Sequence, residues 1–170
     1  MTTAPSLLHS GVAVGDELPS LSVDVTATTV VLGALASRDW RPMHHDYEFA
    51  VNRQGTSNIF LNTPNQAAWF ERYITDWTGP EGRLGQMTFR MRDSVFPGDV
   101  MTMSGAVTGS AVDKTGTGWV ELDLTMTTDD GRTCTTCAAR VALPTTPDDN
   151  PWSRSGARWE PRPPSSNRTG

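Results

Sequence analysis

Between residues 119 and 127 apolar and polar side chains alternate strictly, with Val120, Leu122, Leu124 and Met126 on one parity. That is the period of a strand that lays one face on a core. Asp129-Asp130-Gly131 follows as a hairpin signal, and residues 85–91, 100–108 and 132–143 predict three more strands separated by turn clusters. Upstream the period changes. Ala67, Phe70, Ile74 and Trp77 recur at three- and four-residue steps with Tyr73 beside them, which predicts a long helix with one apolar face. Asn62 or Thr63 supplies its cap, Pro64 stands near its first position, and Gly79-Pro80 ends it. Ahead of that helix, residues 21–25 read as a short strand and residues 28–37 as a helix carrying Val31, Leu32, Leu35 and Ala36 at helical spacing. Residues 46–53 form a second short helical stretch, closed by Gly55. A long helix followed by a four-stranded antiparallel meander is an α+β layout in which the sheet wraps one central helix.

Composition sets the boundaries. A chain of 170 residues suits one domain with a single core. Residues 1–13 read as a flexible N-terminus and residues 14–144 as the folded domain. From residue 145 the chain turns to Pro147, Pro151, Pro161, Pro163 and Pro164 among Ser, Asn and Arg, so residues 145–170 read as a disordered or loosely docked tail. Trp152 and Trp159 are unusual there and suggest anchors on a partner or on the domain's own sheet. A net charge of −5 with scattered Lys and Arg provides no basic stripe, which argues against nucleic acid. No apolar run approaches the roughly 20 residues of a membrane span, and a cytoplasmic location is expected. Cys134 and Cys137 have CxxC spacing, but on a strand they point to opposite faces and no second ligand pair follows, so no metal site is expected.

The candidate chemistry lies in the run Ser37-Arg38-Asp39-Trp40-Arg41-Pro42-Met43-His44-His45-Asp46. The carboxylate of Asp39 and the imidazole of His44 flank a proline that forbids continuous helix, so they can be turned toward each other to hold one water. On spacing alone, a polar helix-to-loop junction with Asp39 capping a turn and His44 exposed fits as well.

With the order of elements in place, a resemblance becomes specific. The run is similar to the signature of MaoC-like, R-specific enoyl-CoA hydratases: a small or aliphatic residue, Gly, Asp, any residue, Asn, Pro, an aliphatic residue and His, then a small residue six positions on. Asp39, Pro42, Met43, His44 and Ala50 fall in register, while Arg38 stands where the family has Gly and Arg41 where it has Asn. The strings Arg38-Asp39, His44-His45-Asp46, Ile59-Phe60-Leu61-Asn62 and Arg72-Tyr73-Ile74-Thr75-Asp76-Trp77 further resemble the short MaoC-like subunit of actinobacterial steroid side-chain enoyl-CoA hydratases. The resemblance covers roughly residues 14–143.

It implies a hot-dog fold, with Asp39 and His44 as the catalytic pair that adds water syn across a trans-2-enoyl-CoA to give a 3R-hydroxyacyl-CoA. It also implies a bulky, steroid-derived acyl group and a second MaoC-like domain as hetero-oligomeric partner, with a homodimer as the other arrangement. No cofactor is expected, since the substrate itself carries coenzyme A. The enolate oxygen of the reaction needs donors, and the backbone of Asn62 or Thr63 at the start of the long helix can supply them. Asn62 serves equally as a plain cap; Arg83, Arg90 and Arg92 are candidates for the coenzyme A phosphates, or form a solvated strand face. His45 reads as structural or exposed. Two alternatives stay open: a hot-dog thioesterase using Glu71 on the long helix, and a non-catalytic acyl-binding subunit.

Overall fold

Strand alternation in the second half of the chain is realised as one antiparallel sheet. The structure, a computed structural model, describes residues 7–161. Its strands are β1 (Glu17–Asp24), β2 (Arg83–Met91), β3 (Val100–Val112), β4 (Gly118–Thr128) and β5 (Thr133–Leu143), in the spatial order β1-β3-β4-β5-β2. Its helices are α1 (Ala27–Ala36), α2 (Tyr47–Phe49, continued by the π-helical turn Ala50–Gln54) and α3 (Thr63–Thr78). Val120, Leu122, Leu124 and Met126 of β4 are all buried, as their parity requires. The β4–β5 turn places Gly131 at φ 86, a left-handed conformation that suits glycine.

Helix α3 lies against the sheet's inner face. Phe70, Tyr73 and Ile74 are buried from its apolar side, each worth about 1.5–3 kcal/mol relative to exposure. Gln66 is buried too, and accepts a 2.6 Å bond from the Thr135 hydroxyl of β5. A polar side chain on that face carries no apolar period, which is why the pattern passes over it. Ala67 and Trp77 lie at the margins of the face, only partly buried.

Helix α1 differs from expectation in its orientation. Thr26 caps it, and Val30 and Ala34 are its buried residues, whereas Leu32 is 57% and Leu35 44% exposed. Its small residues set the crossing with α3: a Cβ on Gly33 would collide with the side chain of Asn65, whose Nδ2 donates to the Thr29 carbonyl at 3.2 Å. The helices meet through this close approach, and the leucines are left outward.

The two ends of the chain are more ordered than composition suggests. Residues 7–13 are placed, with the amide of Leu7 bonded to the Thr78 carbonyl and that of His9 to Pro144. Residues 145–161 are docked as well. Arg154 is buried and paired to Asp149 at 2.8 Å, and Trp159 packs on Trp119 with centroids 5.0 Å apart. The aromatic anchors therefore land on the domain's own sheet and supply the apolar contact that the proline-rich sequence lacks. The expectations for residues 1–6 and 162–170 lie outside the described residues. Cys134 and Cys137 are free and buried, and burial pushes the Cys137 thiol up to about 12. Among the described residues no helix is long and apolar enough to cross a membrane.

Candidate active site

The loop after α1 is fixed by its own backbone. The Arg38 amide donates to the Leu35 carbonyl at 3.0 Å and the Asp39 amide to Ala34 at 2.9 Å, the paired bonds of a Schellman motif. Such a motif needs a left-handed residue just past the helix. Arg38 takes that role at φ 54, and among the described residues it is the single non-glycine with positive φ. The backbone thus keeps a glycine-type conformation where the resemblance expects glycine and the chain carries arginine. Asp39 emerges from this cap with its direction set. Pro42 then starts a one-turn 3-10 helix, Pro42–His44, which turns the imidazole back toward the carboxylate.

Nε2 of His44 lies 3.6 Å from Oδ2 of Asp39. That is too long for a direct hydrogen bond but close enough for one small molecule to touch both atoms. Both groups are enclosed, with side-chain exposures of 4% for His44 and 9% for Asp39. Nδ1 of His44 donates to the Phe60 carbonyl at 2.8 Å, and the Phe60 ring packs edge-on against the imidazole. In the neutral imidazole this leaves Nε2 as an acceptor facing Asp39.

The carboxylate is held by two residues, Arg41 and Asn62. Arg41 forks it, Nε to Oδ1 at 2.9 Å and Nη2 to Oδ2 at 3.0 Å. Asn62, the cap of α3, accepts the Asn65 amide through Oδ1 and donates through Nδ2 to Oδ2 of Asp39 at 3.0 Å and to the Ser37 hydroxyl at 2.8 Å. The Ser37 hydroxyl in turn donates to the Gly33 carbonyl. The Arg41 hydrogen bonds, helped by Asn62 and opposed by burial, hold the Asp39 carboxyl far below the usual carboxylate range.

Comparison with known proteins identifies the family. No protein-family model matches the chain. It is 38% identical over 95 residues to the 3-oxo-4,17-pregnadiene-20-carboxyl-CoA hydratase beta subunit of Mycobacterium tuberculosis, an alignment that spans 56% of this chain and 73% of that protein. The chain belongs to the MaoC-like hydratases. Two solved structures agree. A chain of the ChsH1-ChsH2 complex of M. tuberculosis superposes with a TM-score of 0.70 at 30% identity, over 77% of this chain and 98% of that one. The (R)-hydratase of A. caviae superposes with a TM-score of 0.68 at 26% identity, over 78% and 98%. The architecture of this MaoC-like hydratase is the hot-dog fold, in which the sheet wraps α3.

Within this MaoC-like protein the structure gathers Asp39, His44 and Asn62 and separates the arginines from one another. Arg83 stands at the start of β2 and is committed to the chain's own tail. It donates to the carbonyls of Pro151 and Arg154, and its guanidinium lies 3.6 Å from the Trp159 ring centroid. This revises the expectation of a phosphate contact there. Arg90 is exposed and shares a depression with Thr88, Asp123 and Thr136 on the sheet face opposite α3. Arg92 follows Met91, whose sulfur accepts the Thr63 hydroxyl at 3.1 Å, so of the three it adjoins the α3 N-terminus. His45 and Glu71 are exposed, and Asp46 caps α2 by accepting the Phe49 amide. Sequence reasoning missed the roles of Ser37 and of the Asn62 and Arg41 side chains. A cap residue is legible as a cap, but nothing in its spacing shows what its second hand holds.

Proposed function

We propose that this chain is the catalytic subunit of an enoyl-CoA hydratase in which Asp39 and His44 act on one shared water. The observation that carries it is the 3.6 Å approach of Nε2 to Oδ2, with Nδ1 tied to a backbone carbonyl. A water between two acceptors donates both of its hydrogens to them and turns its lone pairs outward, toward the β-carbon of a bound enoyl thioester. One O–H bond breaks as the proton passes to the pair, and the hydroxyl bonds to the β-carbon. The proton is then returned to the α-carbon from the same side, which is syn addition. The negative charge that develops on the thioester oxygen is met by amides of Asn62 and Thr63, at the helix end where donors precede the intrahelical ladder and the dipole favours an anion. Arg92 is the remaining candidate for a coenzyme A phosphate.

The steroid side-chain reading and the second MaoC-like domain follow from the relatives: one is named as a hydratase beta subunit, and another was solved as a two-protein complex. The apolar surroundings of the site support a partner surface. Leu32, Leu35, Trp40 and Tyr47, on the elements that carry Asp39 and His44, are 57%, 44%, 65% and 55% exposed. A thioesterase built on Glu71 finds no support, because that residue faces solvent on α3. The test is incubation of the chain, isolated with its partner from its host, with a steroid side-chain enoyl-CoA. Gain of one water with a 3R alcohol is expected. Release of free coenzyme A thiol would overturn the reading in favour of a thioesterase.

A further inference from the structure

Arg41 stands where the family motif has asparagine, and its side chain is 63% exposed, reaching from outside across an enclosed carboxylate. Both carboxylate oxygens are engaged by this one guanidinium, and the Arg41 amide adds a third bond to Oδ1 at 3.3 Å. An exposed ion pair contributes little, but a bidentate fork onto a carboxylate fixes its plane. Without the fork, Asp39 would keep the Asn62 bond to Oδ2 and the longer Arg41 amide bond to Oδ1, and the soft sp³–sp² torsion would hold Oδ2 toward His44 less firmly. An asparagine two residues from Asp39 offers one amide and cannot grip both oxygens in this way.

We infer that Arg41 is a positioning residue for the hydration, forking the Asp39 carboxylate so that Oδ2 is held toward Nε2 of His44. The inference rests on the function proposed above. Among the described residues the charged or titratable groups in contact with the carboxylate are Arg41 and His44; Ser37 from α1 and Asn62 from α3 bring neutral groups to the same network.

The test uses the protein as isolated from its host, with Arg41→Asn and Arg41→Lys variants, and reads two quantities. The first is hydration kinetics. Both variants lose the fork, so kcat falls about 10- to 100-fold, the usual consequence of a mispositioned catalytic group, while KM changes little. The second is the ¹³C shift of the Asp39 carboxyl carbon between about pH 7 and pH 4, the range in which an ordinary carboxylate begins to protonate. It is flat in the wild type and titrates in Arg41→Asn, where the side-chain hydrogen bonds that lower it are gone; in Arg41→Lys a single ammonium bond replaces the fork and the shift lies between the two. An Arg41→Asn variant with wild-type kcat, or with an Asp39 carbon as flat as the wild type's, overturns the inference. If the wild type hydrates no enoyl-CoA, the function fails instead, and the carboxyl titration still decides the fork.

Discussion

At the scale of single residues, the site is a carboxylate whose charge and direction are both fixed before any substrate arrives. Arg41 and Asn62 keep Asp39 ionised, so its pairing stabilises the fold fully above ordinary carboxylate values, and that stabilisation is lost progressively as pH falls from there toward the lowered value. Arg38 works at a cost to the backbone. A non-glycine residue in the left-handed region is disfavoured by about 1–2 kcal/mol, and glycine gives back part of that through its unfolded-state entropy. Arg38→Gly is therefore expected to raise stability by about 0.5–1 kcal/mol in urea unfolding, with hydration retained. A loss of stability would mean that the arginine side chain contributes contacts beyond the cap. The Asp39-to-His44 register is legible in the sequence because the motif is local. The Arg41 fork is not, since a guanidinium two residues along can equally extend into water.

At the scale of elements, α1 and α3 set the distance between the carboxylate and its supports. Asp39 leaves the end of α1 and Asn62 begins α3, so any change in their crossing moves Oδ2 relative to Nδ2. Gly33 is the contact that allows the crossing, since any side chain there would collide with Asn65. Gly33→Ala forces the Asn65 side chain away or parts the helices. It is expected to cost about 1–3 kcal/mol, the usual penalty of overpacking, measured by thermal or urea unfolding, together with a lowered kcat. Unchanged stability and kcat would show that the crossing does not govern the site. The strands, the long helix and its cap were legible because each carries a sustained period and turn chemistry of its own. The facing of α1 was not. Its apolar residues run almost all round, and Leu32 and Leu35 gave no sign that Gly33 and Ala34, rather than they, would meet the rest of the fold.

At the scale of the whole molecule, the sheet presents α3 on one side, and among the described residues an apolar border around the site is left exposed. Residues 145–161 take another course: they fold back over the ends of β2 and β4, where Arg83, Trp119 and Trp159 stack. Their proline content suggested looseness, because composition reports the absence of a period and says nothing of a few well-placed aromatic anchors. The exposed Leu32, Leu35, Trp40 and Tyr47 fit a second MaoC-like domain docked beside the site. The claim on which all this depends is that Asp39 and His44 activate one water together. Single-turnover hydration of a steroid side-chain enoyl-CoA by Asp39→Asn, His44→Asn and the double variant measures it most directly. Each single variant is expected to slow the chemical step by about 10²–10⁴-fold, and the double variant to be scarcely slower than either, since the two groups share one task. A single variant that hydrates at the wild-type rate, or losses that multiply in the double variant, would contradict the shared water.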